Sequence, residues 1–200
     1  MRALADATLV RSAGELWRQA TTARFLEAVG EGTLPVEAFN RWLVQDYHFA
    51  DALTSYQAIA LAKTPRALRQ PLLDGLVALE AEMKMFKAQA QQRGLNLRGP
   101  VHHVCRHYAD FLIRTVYSEP YAVLLATLFG VEASYLAAWS RLKPAGPYAE
   151  FIERWSGEGF QEYVESLRVL AESNPHADSQ RYFNEVLIHE RDFWRMTWEG

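Results

Sequence analysis

Apolar side chains recur at intervals of three or four residues along much of the chain, and this spacing restricts the fold more than any other feature. The clearest case lies at about residues 66–93, where the recurring side chains are Leu72, Leu76, Leu79, Met83 and Phe86. Side chains at that spacing share one face of an α-helix, whereas a strand needs an alternation of period two, which no segment shows. The sequence therefore predicts an all-α protein.

Glycine and proline residues predict where about seven helices begin and end. The first covers about residues 7–29 and stops at Gly30-Glu31-Gly32, and the second has Pro35 in its first turn and ends before Pro65. The others are expected at about residues 66–93, 101–117, 119–142, 148–173 and 176–198, with a turn at 143–147. Residues 1–200 are thus predicted to form a single domain, a helical bundle in which facing helices supply any ligand site.

Charge and cysteine content bear on partners and location. A formal net charge of −3 gives no electrostatic basis for binding nucleic acid. No apolar run approaches the roughly 20 residues that a membrane helix needs, and the N-terminal residues do not resemble a signal peptide. The one cysteine, Cys105, cannot form an internal disulfide, which fits a reducing compartment. We therefore expect a cytoplasmic protein that binds neither nucleic acid nor a membrane.

An acidic residue stands among aromatic residues on the second predicted helix. Asp46 shares a face with Trp42, Gln45 and Phe49, at the spacing i, i+3, i+4, i+7. Burial of an unpaired carboxylate is very costly. Asp46 is therefore a surface acid, one end of a structural ion pair, or a carboxylate that hydrogen-bonds a nitrogen-bearing ring.

A second acid has apolar neighbours near the C-terminus. Glu190 is flanked on its helix face by Leu187, Phe193 and Trp194. Loss of hydration in such surroundings raises the pKa of a carboxyl group, which suits general acid–base catalysis near neutral pH. The alternative is a structural pair with a buried arginine.

The intervening helices carry further candidates. Glu132 and Tyr135 share a face, although the small residues beside them are equally typical of close helix packing. Tyr108 lies one turn from Cys105, whose thiol is either a nucleophile or, more commonly, a small apolar core group. The spacing of Glu82 near an apolar stripe favours a solvated position.

The histidines do not make a complete metal site. His103 and His107 are spaced i, i+4, which can hold a metal, but no Glu-x-x-His or His-Glu-x-x-His pattern supplies further ligands. Phosphate-loop and dinucleotide-loop glycine patterns are missing as well. We therefore expect no metal and no cofactor, and we expect these two histidines to cap a helix start.

Several short motifs occur together in an order typical of one protein family. They are Gly32–Pro35, Val44–Asp46, Glu80–Met83 and Glu190–Trp194, with Tyr108 and Tyr135 between them. In these motifs the chain resembles the TenA/thiaminase II family. The resemblance covers most of the chain and implies the helical bundle that this family shares with haem oxygenase.

The resemblance implies roles for four of the residues. Asp46 matches the aspartate that holds an aminopyrimidine ring, and Tyr108 matches a tyrosine of the pocket wall. Tyr135 matches the tyrosine that supports the family's nucleophile, and Glu190 matches the acid–base glutamate near the C-terminus.

The chain departs from the family pattern at three places. Val131 stands where the nucleophilic cysteine is expected, Phe49 replaces a tyrosine, and a pocket tyrosine expected near residues 157–160 has no clear counterpart. Valine cannot form the covalent adduct of thiaminase chemistry. The chain therefore resembles the branch of the family that lacks this cysteine and uses a glutamate, for which Glu132 is the leading candidate.

That branch is associated with salvage of the thiamin pyrimidine, so the resemblance implies a hydrolase. The expected partner is a small-molecule aminopyrimidine, an aminomethyl- or formylaminomethyl-pyrimidine whose C–N bond is hydrolysed. Its ring is expected among Phe49, Tyr108 and Tyr135, with Asp46 on its nitrogen edge. Relatives of this type assemble as homodimers or homotetramers, which we also expect here.

The acids would divide the proton transfers. Glu190 would protonate the departing nitrogen, and Glu132 or Glu82 would orient or deprotonate the attacking water. Two acids in one dry pocket repel each other, so one keeps its proton at neutral pH.

Two alternative functions stay open on the same fold. One is a PqqC-like cofactor-free oxidase or a di-iron oxygenase. A di-iron site needs histidines beside its glutamates, yet Gln89 lies seven residues after Glu82 and no histidine-rich pattern occurs near Glu190. The other is a relative that binds a ring without turning it over.

Overall fold

The computed structural model describes residues 2–144 and 146–200. The α-helices in these ranges are α1 (Arg2–Asp6), α2 (Thr8–Ala13), α3 (Glu15–Thr21), α4 (Arg24–Glu31), α5 (Val36–Lys63), α6 (Gln70–Arg93), α7 (His103–Ser118), α8 (Tyr121–Trp139), α9 (Ala149–Ser156), α10 (Glu158–Ser173) and α11 (Ser179–Glu199). Short 3₁₀ turns occur at Arg66–Leu68 and Gly146–Tyr148. No strand occurs in the described ranges. The predicted all-α bundle is confirmed.

The N-terminal part contains more helices than predicted, because the single helix expected at residues 7–29 is divided into α2, α3 and α4. Gly14 separates α2 from α3 with φ 53° and ψ −119°, a conformation that side chains rarely allow. Thr22, with φ −132° and ψ 105°, is extended and separates α3 from α4. The chain therefore bends twice where the sequence pattern predicts a straight rod.

The helix predicted at residues 148–173 is also divided. Gly157 adopts an extended conformation between α9 and α10, with φ −69° and ψ 162°. A Cβ at this position would lie 2.8 Å from the carbonyl oxygen of Glu153, so glycine permits a close turn. The turn predicted at 143–147 includes Ala145, which lies outside the described residues.

Helix α8 is the central element of the bundle. It packs most extensively against α11 and α10 and also contacts α3, α5 and α9. Every residue from Val123 to Trp139 is buried. Its 19 residues are long and apolar enough to cross a membrane, so the expectation that no apolar run approaches that length was wrong. Contact with neighbouring helices on all sides accounts for so apolar a helix.

A cluster of tryptophans joins α5, α8 and α9 behind the polar residues described below. The ring of Trp42 lies 5.7 Å from that of Trp139 and 5.6 Å from that of Trp155, centroid to centroid. Trp139 and Trp155 are 5.1 Å apart. Large rings packed at these distances bury much apolar surface and leave little freedom to move. The cluster therefore forms a rigid wall.

Candidate active site

Four carboxyl groups from four different helices converge inside the bundle. They belong to Asp46 in α5, Glu82 in α6, Glu132 in α8 and Glu190 in α11. Asp46, Glu132 and Glu190 are 5%, 8% and 3% exposed, and Glu82 is half-buried as a residue. Burial raises the pKa values of Asp46 and Glu132, and the charges of Glu82 and Glu190 raise both further. The structure thus brings together all four acids that the sequence singled out.

Asp46 is held by Tyr135. The hydroxyl of Tyr135 donates a hydrogen bond of 2.8 Å to Oδ2 of Asp46. The ring of Tyr135 is itself stacked on Trp194, with centroids 5.5 Å apart and planes inclined by 19°. Burial and the nearby Glu82 raise the pKa of Asp46 well above its usual range, and the hydrogen bond from Tyr135 partly opposes this shift. The alternatives of a surface acid and of an ion-pair partner are therefore wrong for Asp46.

Glu190 is held by Tyr108. The Tyr108 hydroxyl donates to Oε1 of Glu190 at 2.7 Å. The phenol ring lies between Phe49, 4.5 Å away, and His189, stacked at 4.9 Å with an inclination of 8°. Burial raises the pKa of Glu190 to about 8, although the hydrogen bond from Tyr108 lowers it in part. No arginine is among the causes of this shift, so the alternative of a buried arginine partner is not supported.

Glu82 departs from the sequence expectation. Its spacing favours a solvated position, but its carboxyl group lies deep and accepts a 2.8 Å hydrogen bond from Nε1 of Trp155. Burial raises the pKa of Glu82 to about 7, while Trp155 and the charge of Arg154 lower it. The sequence could not reveal this, because Trp155 belongs to α9, far along the chain.

Glu132 has no comparable partner. Burial, followed by the charges of Glu82, Glu190 and Asp46, raises its pKa well above the usual range, and no hydrogen bond from a described residue offsets that rise. The small residues nearby serve packing as well. A Cβ at Gly130 would lie 3.2 to 3.3 Å from side-chain atoms of Phe183 and Val186, so α8 and α11 approach closely there. Close packing of α8 is therefore confirmed at Gly130, and the functional interpretation of the face that carries Glu132 stays a prediction.

Three of the four acids, Asp46, Glu82 and Glu132, line two adjoining spaces. The first, which we call the inner chamber, has a volume of about 30 Å³, enough for a water molecule. Its lining residues are Asp46, Phe49, Ala50, Leu53, Leu79, Glu82, Val131, Glu132, Tyr135 and Trp155. Val131, at the position expected for a nucleophilic cysteine, is 2% exposed.

The second space, which we call the outer cleft, has a volume of about 310 Å³. It is lined by Asp74, Gly75, Ala78, Leu79, Glu82, Glu132, Arg154, Trp155, Gly159, Phe160 and Tyr163. Four residues, Leu79, Glu82, Glu132 and Trp155, line both spaces and so form a partition between them.

Two predicted site residues do not line the inner chamber. Tyr108 and Glu190 are not among its lining residues, although Phe49, which lines it, packs against the ring of Tyr108. Glu190 acts on the chamber through its charge, which raises the pKa of Asp46. The arrangement expected for a ring, among Phe49, Tyr108 and Tyr135, is therefore present only in part.

Sequence reasoning missed two aromatic residues at the site. No tyrosine occurs at residues 157–160, but Tyr163 on α10 lines the outer cleft, and Trp155 on α9 lines both spaces. Both residues follow helical spacing on their own elements, with Phe151 and Trp155 at i, i+4 and Phe160 and Tyr163 at i, i+3. That spacing alone identifies an apolar face but not the space that the face borders.

Cys105 is a core residue. Its thiol donates to the backbone carbonyl oxygen of Gln45 at 3.3 Å, and it lines neither the chamber nor the cleft. Burial and the charge of Asp46 raise its pKa to about 12, which keeps the thiol protonated and unreactive. The interpretation as a small apolar core group is therefore the better one.

The histidine at the start of α7 that acts as a cap is His102. Its Nδ1 accepts a hydrogen bond of 3.2 Å from the backbone nitrogen of Val104, so the assignment of this role to His103 and His107 was wrong. Within residues 2–144 and 146–200 there is no group of three histidine, cysteine, aspartate or glutamate residues arranged to hold a metal ion.

Known proteins resemble the chain over nearly its whole length. Residues 11–200 match the profile of the TENA/THI-4/PQQC family. A probable bifunctional TENA-E protein of Glycine max is 25% identical over 201 residues, 91% of this chain and 88% of that protein. The aminopyrimidine aminohydrolase of Bacillus subtilis is 23% identical, covering 94% of this chain and 86% of the enzyme. The X-ray structure of a TenA homologue from Pyrococcus furiosus is 28% identical with a TM-score of 0.89, covering 94% of this chain and 97% of that one.

Proposed function

The chain belongs to the TENA/THI-4/PQQC family, and from this membership we propose that it is a hydrolase of thiamin salvage that cleaves a C–N bond of an aminopyrimidine. The observation that carries the proposal is the meeting of Asp46, Glu82 and Glu132 at one buried chamber, with Glu190 near enough for its charge to act on Asp46. The substrate we propose is a 4-amino-2-methylpyrimidine with an aminomethyl or formylaminomethyl group. The name of the Bacillus subtilis relative, an aminopyrimidine aminohydrolase, supports this class of substrate.

Asp46 is the proposed ligand of the pyrimidine ring. Tyr135 occupies one side of its carboxyl group with a 2.8 Å hydrogen bond and so fixes its direction. The other oxygen is left for the amino group and nitrogen edge of the ring. Phe49 and Tyr135, which both line the chamber, supply flat surfaces for the ring.

A pyrimidine ring needs more room than the inner chamber alone provides. The partition between chamber and cleft is the place where room can be gained, because one hydrogen bond holds the Glu82 side chain to the rigid Trp155 indole and Glu82 can move away from it. Donor groups of the substrate can replace the Trp155 indole as the partner of Glu82. We therefore propose that the ring enters through the outer cleft and merges the two spaces.

Two glutamates supply the proton transfers in the proposed reaction. The oxygen of water bonds to the methylene carbon of the substrate, and the C–N bond breaks with its electron pair moving to nitrogen. Glu82 takes a proton from the water. Glu190, which lines neither space before the ring enters, gives a proton to the departing nitrogen once the bound ring has opened the chamber toward it. The products are a hydroxymethylpyrimidine and ammonia, or an amide when the nitrogen is acylated. Glu132, which keeps its proton, would hold the water in place.

No covalent enzyme intermediate is proposed. Val131 lines the chamber and carries no nucleophilic atom, and the thiol of Cys105 faces away, toward Gln45. A carboxylate that activates water needs no such nucleophile. The branch of the family that acts without the cysteine is therefore the one we propose for this chain.

Substitution of the two principal acids tests the function. We expect Asp46→Asn and Glu190→Gln each to lower kcat/KM by about 100-fold or more, the usual contribution of an acid–base or orienting group. The measurement is ammonia release from 4-amino-5-aminomethyl-2-methylpyrimidine. Asp51→Asn and Glu185→Gln, exposed acids on the same two helices, are matched controls that we expect to retain activity. Near wild-type turnover in both principal variants would end the proposal.

We also make proposals about the domain extent, the assembly and the cellular location of the protein. We infer that residues 1–200 form one domain and that the protein acts in the cytoplasm as a homodimer or homotetramer. Sedimentation velocity of the purified chain measures the assembly directly, and a single monomeric species would contradict that part.

A further inference from the structure

The outer cleft contains a polar arrangement that the proposed reaction does not use. Gln57, in α5, is fully buried. Its Nε2 donates to the backbone carbonyl oxygen of Leu72 at 2.8 Å and to the hydroxyl oxygen of Tyr163 at 3.2 Å. Its Oε1 is buried and finds no hydrogen-bond partner among the described residues. Most buried polar atoms in folded proteins have a hydrogen-bond partner, so the unpaired oxygen of this amide is unusual.

Leu72 fixes the direction of this amide. A backbone carbonyl oxygen only accepts hydrogen bonds, so the nitrogen of Gln57 must face it. The second hydrogen of the same nitrogen then points at Tyr163, whose oxygen accepts it. The hydrogen of the Tyr163 hydroxyl is therefore left to donate in another direction. Burial, the largest cause, raises the pKa of Tyr163 well above its usual value and keeps that hydrogen in place.

Gly75 leaves space for the arrangement. A Cβ at this position would lie 2.1 Å from Nε2 of Gln57 and 2.3 Å from the hydroxyl oxygen of Tyr163. Any side chain there would displace the phenol. Gly75 and Tyr163 both line the outer cleft, so the phenol is held at the cleft wall.

The size and charge of the outer cleft indicate what it can hold. A cavity needs about 10–15 Å³ of water-accessible volume to hold a water molecule, and ammonia is of similar size. A cleft of about 310 Å³ is much larger than such a leaving group needs. The cleft also contains the acids Asp74, Glu82 and Glu132 against one cation, Arg154, which disfavours an anionic substituent.

We propose that the outer cleft is a subsite for an uncharged acyl substituent, larger than formyl, on the departing nitrogen, and that Tyr163, positioned by Gln57, donates a hydrogen bond to its carbonyl oxygen. The inference rests on the proposed function, because it requires the ring to bind at Asp46 with the departing nitrogen directed toward the outer cleft. When the C–N bond breaks, negative charge spreads from nitrogen to the acyl oxygen, and a fixed donor stabilises it. Glu190 then protonates the nitrogen, and a primary amide leaves.

Three substrates separate the size of the substituent from its hydrogen-bonding capacity. They are 4-amino-2-methylpyrimidines with an aminomethyl, an N-ethylaminomethyl or an N-acetylaminomethyl group at position 5. We expect the wild-type protein to prefer the N-acetyl substrate in kcat/KM. Tyr163→Phe should lower kcat/KM for that substrate about tenfold, the usual cost of one lost hydrogen bond, and change the other two less than about twofold.

Gln57→Met tests the positioning role. It removes the donor that orients the phenol while the hydroxyl of Tyr163 stays present. We expect the same selective loss for the N-acetyl substrate, a change of substrate preference that general loosening of the fold would not produce. Tyr117→Phe, at an exposed tyrosine, is the matched control, and thermal unfolding of each variant monitors folding.

The outcomes for the subsite and for the proposed function are distinguishable. If the wild-type protein hydrolyses the aminomethyl substrate but does not prefer the N-acetyl one, or if Tyr163→Phe slows all three equally, the subsite is wrong and the proposed function stands. If no substrate is hydrolysed, the proposed function is wrong. A thermal shift by the N-acetyl compound that Tyr163→Phe abolishes would then still support the subsite, and its absence would overturn it.

Discussion

At the scale of single residues, burial raises the pKa of each acid in the site, and a hydrogen-bond partner, where there is one, partly opposes that rise. Tyr108 donates to Glu190, whose pKa nevertheless lies at about 8 because burial outweighs the hydrogen bond. Trp155 and Arg154 keep the pKa of Glu82 nearer neutrality, at about 7. At pH 7.5 Glu190 therefore holds a proton more often than Glu82 does. This difference is the basis for the roles of acid and base proposed above.

The two values predict a narrow, bell-shaped pH dependence of kcat/KM. Activity should fall as pH drops through about 7, where the base Glu82 gains a proton, and as pH rises through about 8, where the acid Glu190 loses one. Tyr108→Phe removes a hydrogen bond that lowers the pKa of Glu190, so the alkaline limb should move to higher pH. Steady-state rates between pH 5.5 and 10 measure this. An alkaline limb that stays or moves to lower pH in the variant would contradict the assignment.

The two acids that the sequence identified most clearly are those whose own helix face is aromatic. Asp46 and Glu190 stand out because the pattern of one helix is enough to show a charge in apolar company. Glu82 and Tyr163 cannot be recognised in this way, because their surroundings come from α9, α10 and α5. Their roles depend on tertiary contacts between helices, which periodicity does not encode.

At the scale of secondary structure elements, the long helices are the predictable part. α5 and α6 keep an apolar stripe over their whole length, and their ends coincide with Pro35, Thr64 and Gly94. The breaks at Gly14 and Gly157 were not predicted, because a single glycine within a helical pattern is usually tolerated. Whether the helix continues past such a glycine depends on what the neighbouring helices require.

Gly14→Ala tests the first of these breaks. With φ 53° and ψ −119°, position 14 has a conformation that strains any residue with a Cβ, although no other atom lies within 4 Å. We expect the free energy of unfolding to fall by about 1–3 kcal/mol. Urea unfolding measures this.

Gly159→Ala is the matched control for that substitution. Gly159 lies within α10, and a Cβ added there would also have no atom within 4 Å, so alanine should stabilise the protein by about 0.5–1 kcal/mol. If both substitutions stabilise the protein, the bend at position 14 is not required by the fold.

At the scale of the whole molecule, the buried acids make the stability depend on pH. In the folded protein the pKa values of Glu82 and Glu190 are about 7 and about 8, against 4.5 for an unperturbed glutamate. Between pH 4.5 and 8 the folded state therefore binds more protons than the unfolded state. The contribution of these two glutamates to stability is greatest in the mildly acidic range. It falls as pH rises, until Glu82 and Glu190 are ionised in the folded as well as in the unfolded protein.

We expect the free energy of unfolding to decrease by a few kcal/mol, as an order of magnitude, between pH 5.5 and pH 8.5. Urea unfolding curves at several pH values measure the slope. Glu190→Gln, which cannot ionise, should make the dependence shallower, whereas Glu185→Gln on the exposed side of the same helix should not. A stability that rises with pH over this range would contradict the raised pKa values.

The connection between α6 and α7 divides the four carboxyl groups evenly along the chain. Asp46 and Glu82 precede it, and Glu132 and Glu190 follow it. Cleavage of the polypeptide in this connection would yield two fragments with two acids each, and neither fragment could build the chamber alone. Turnover would return only on reassociation of the fragments. The rate of hydrolysis would therefore measure how much of the two fragments has associated.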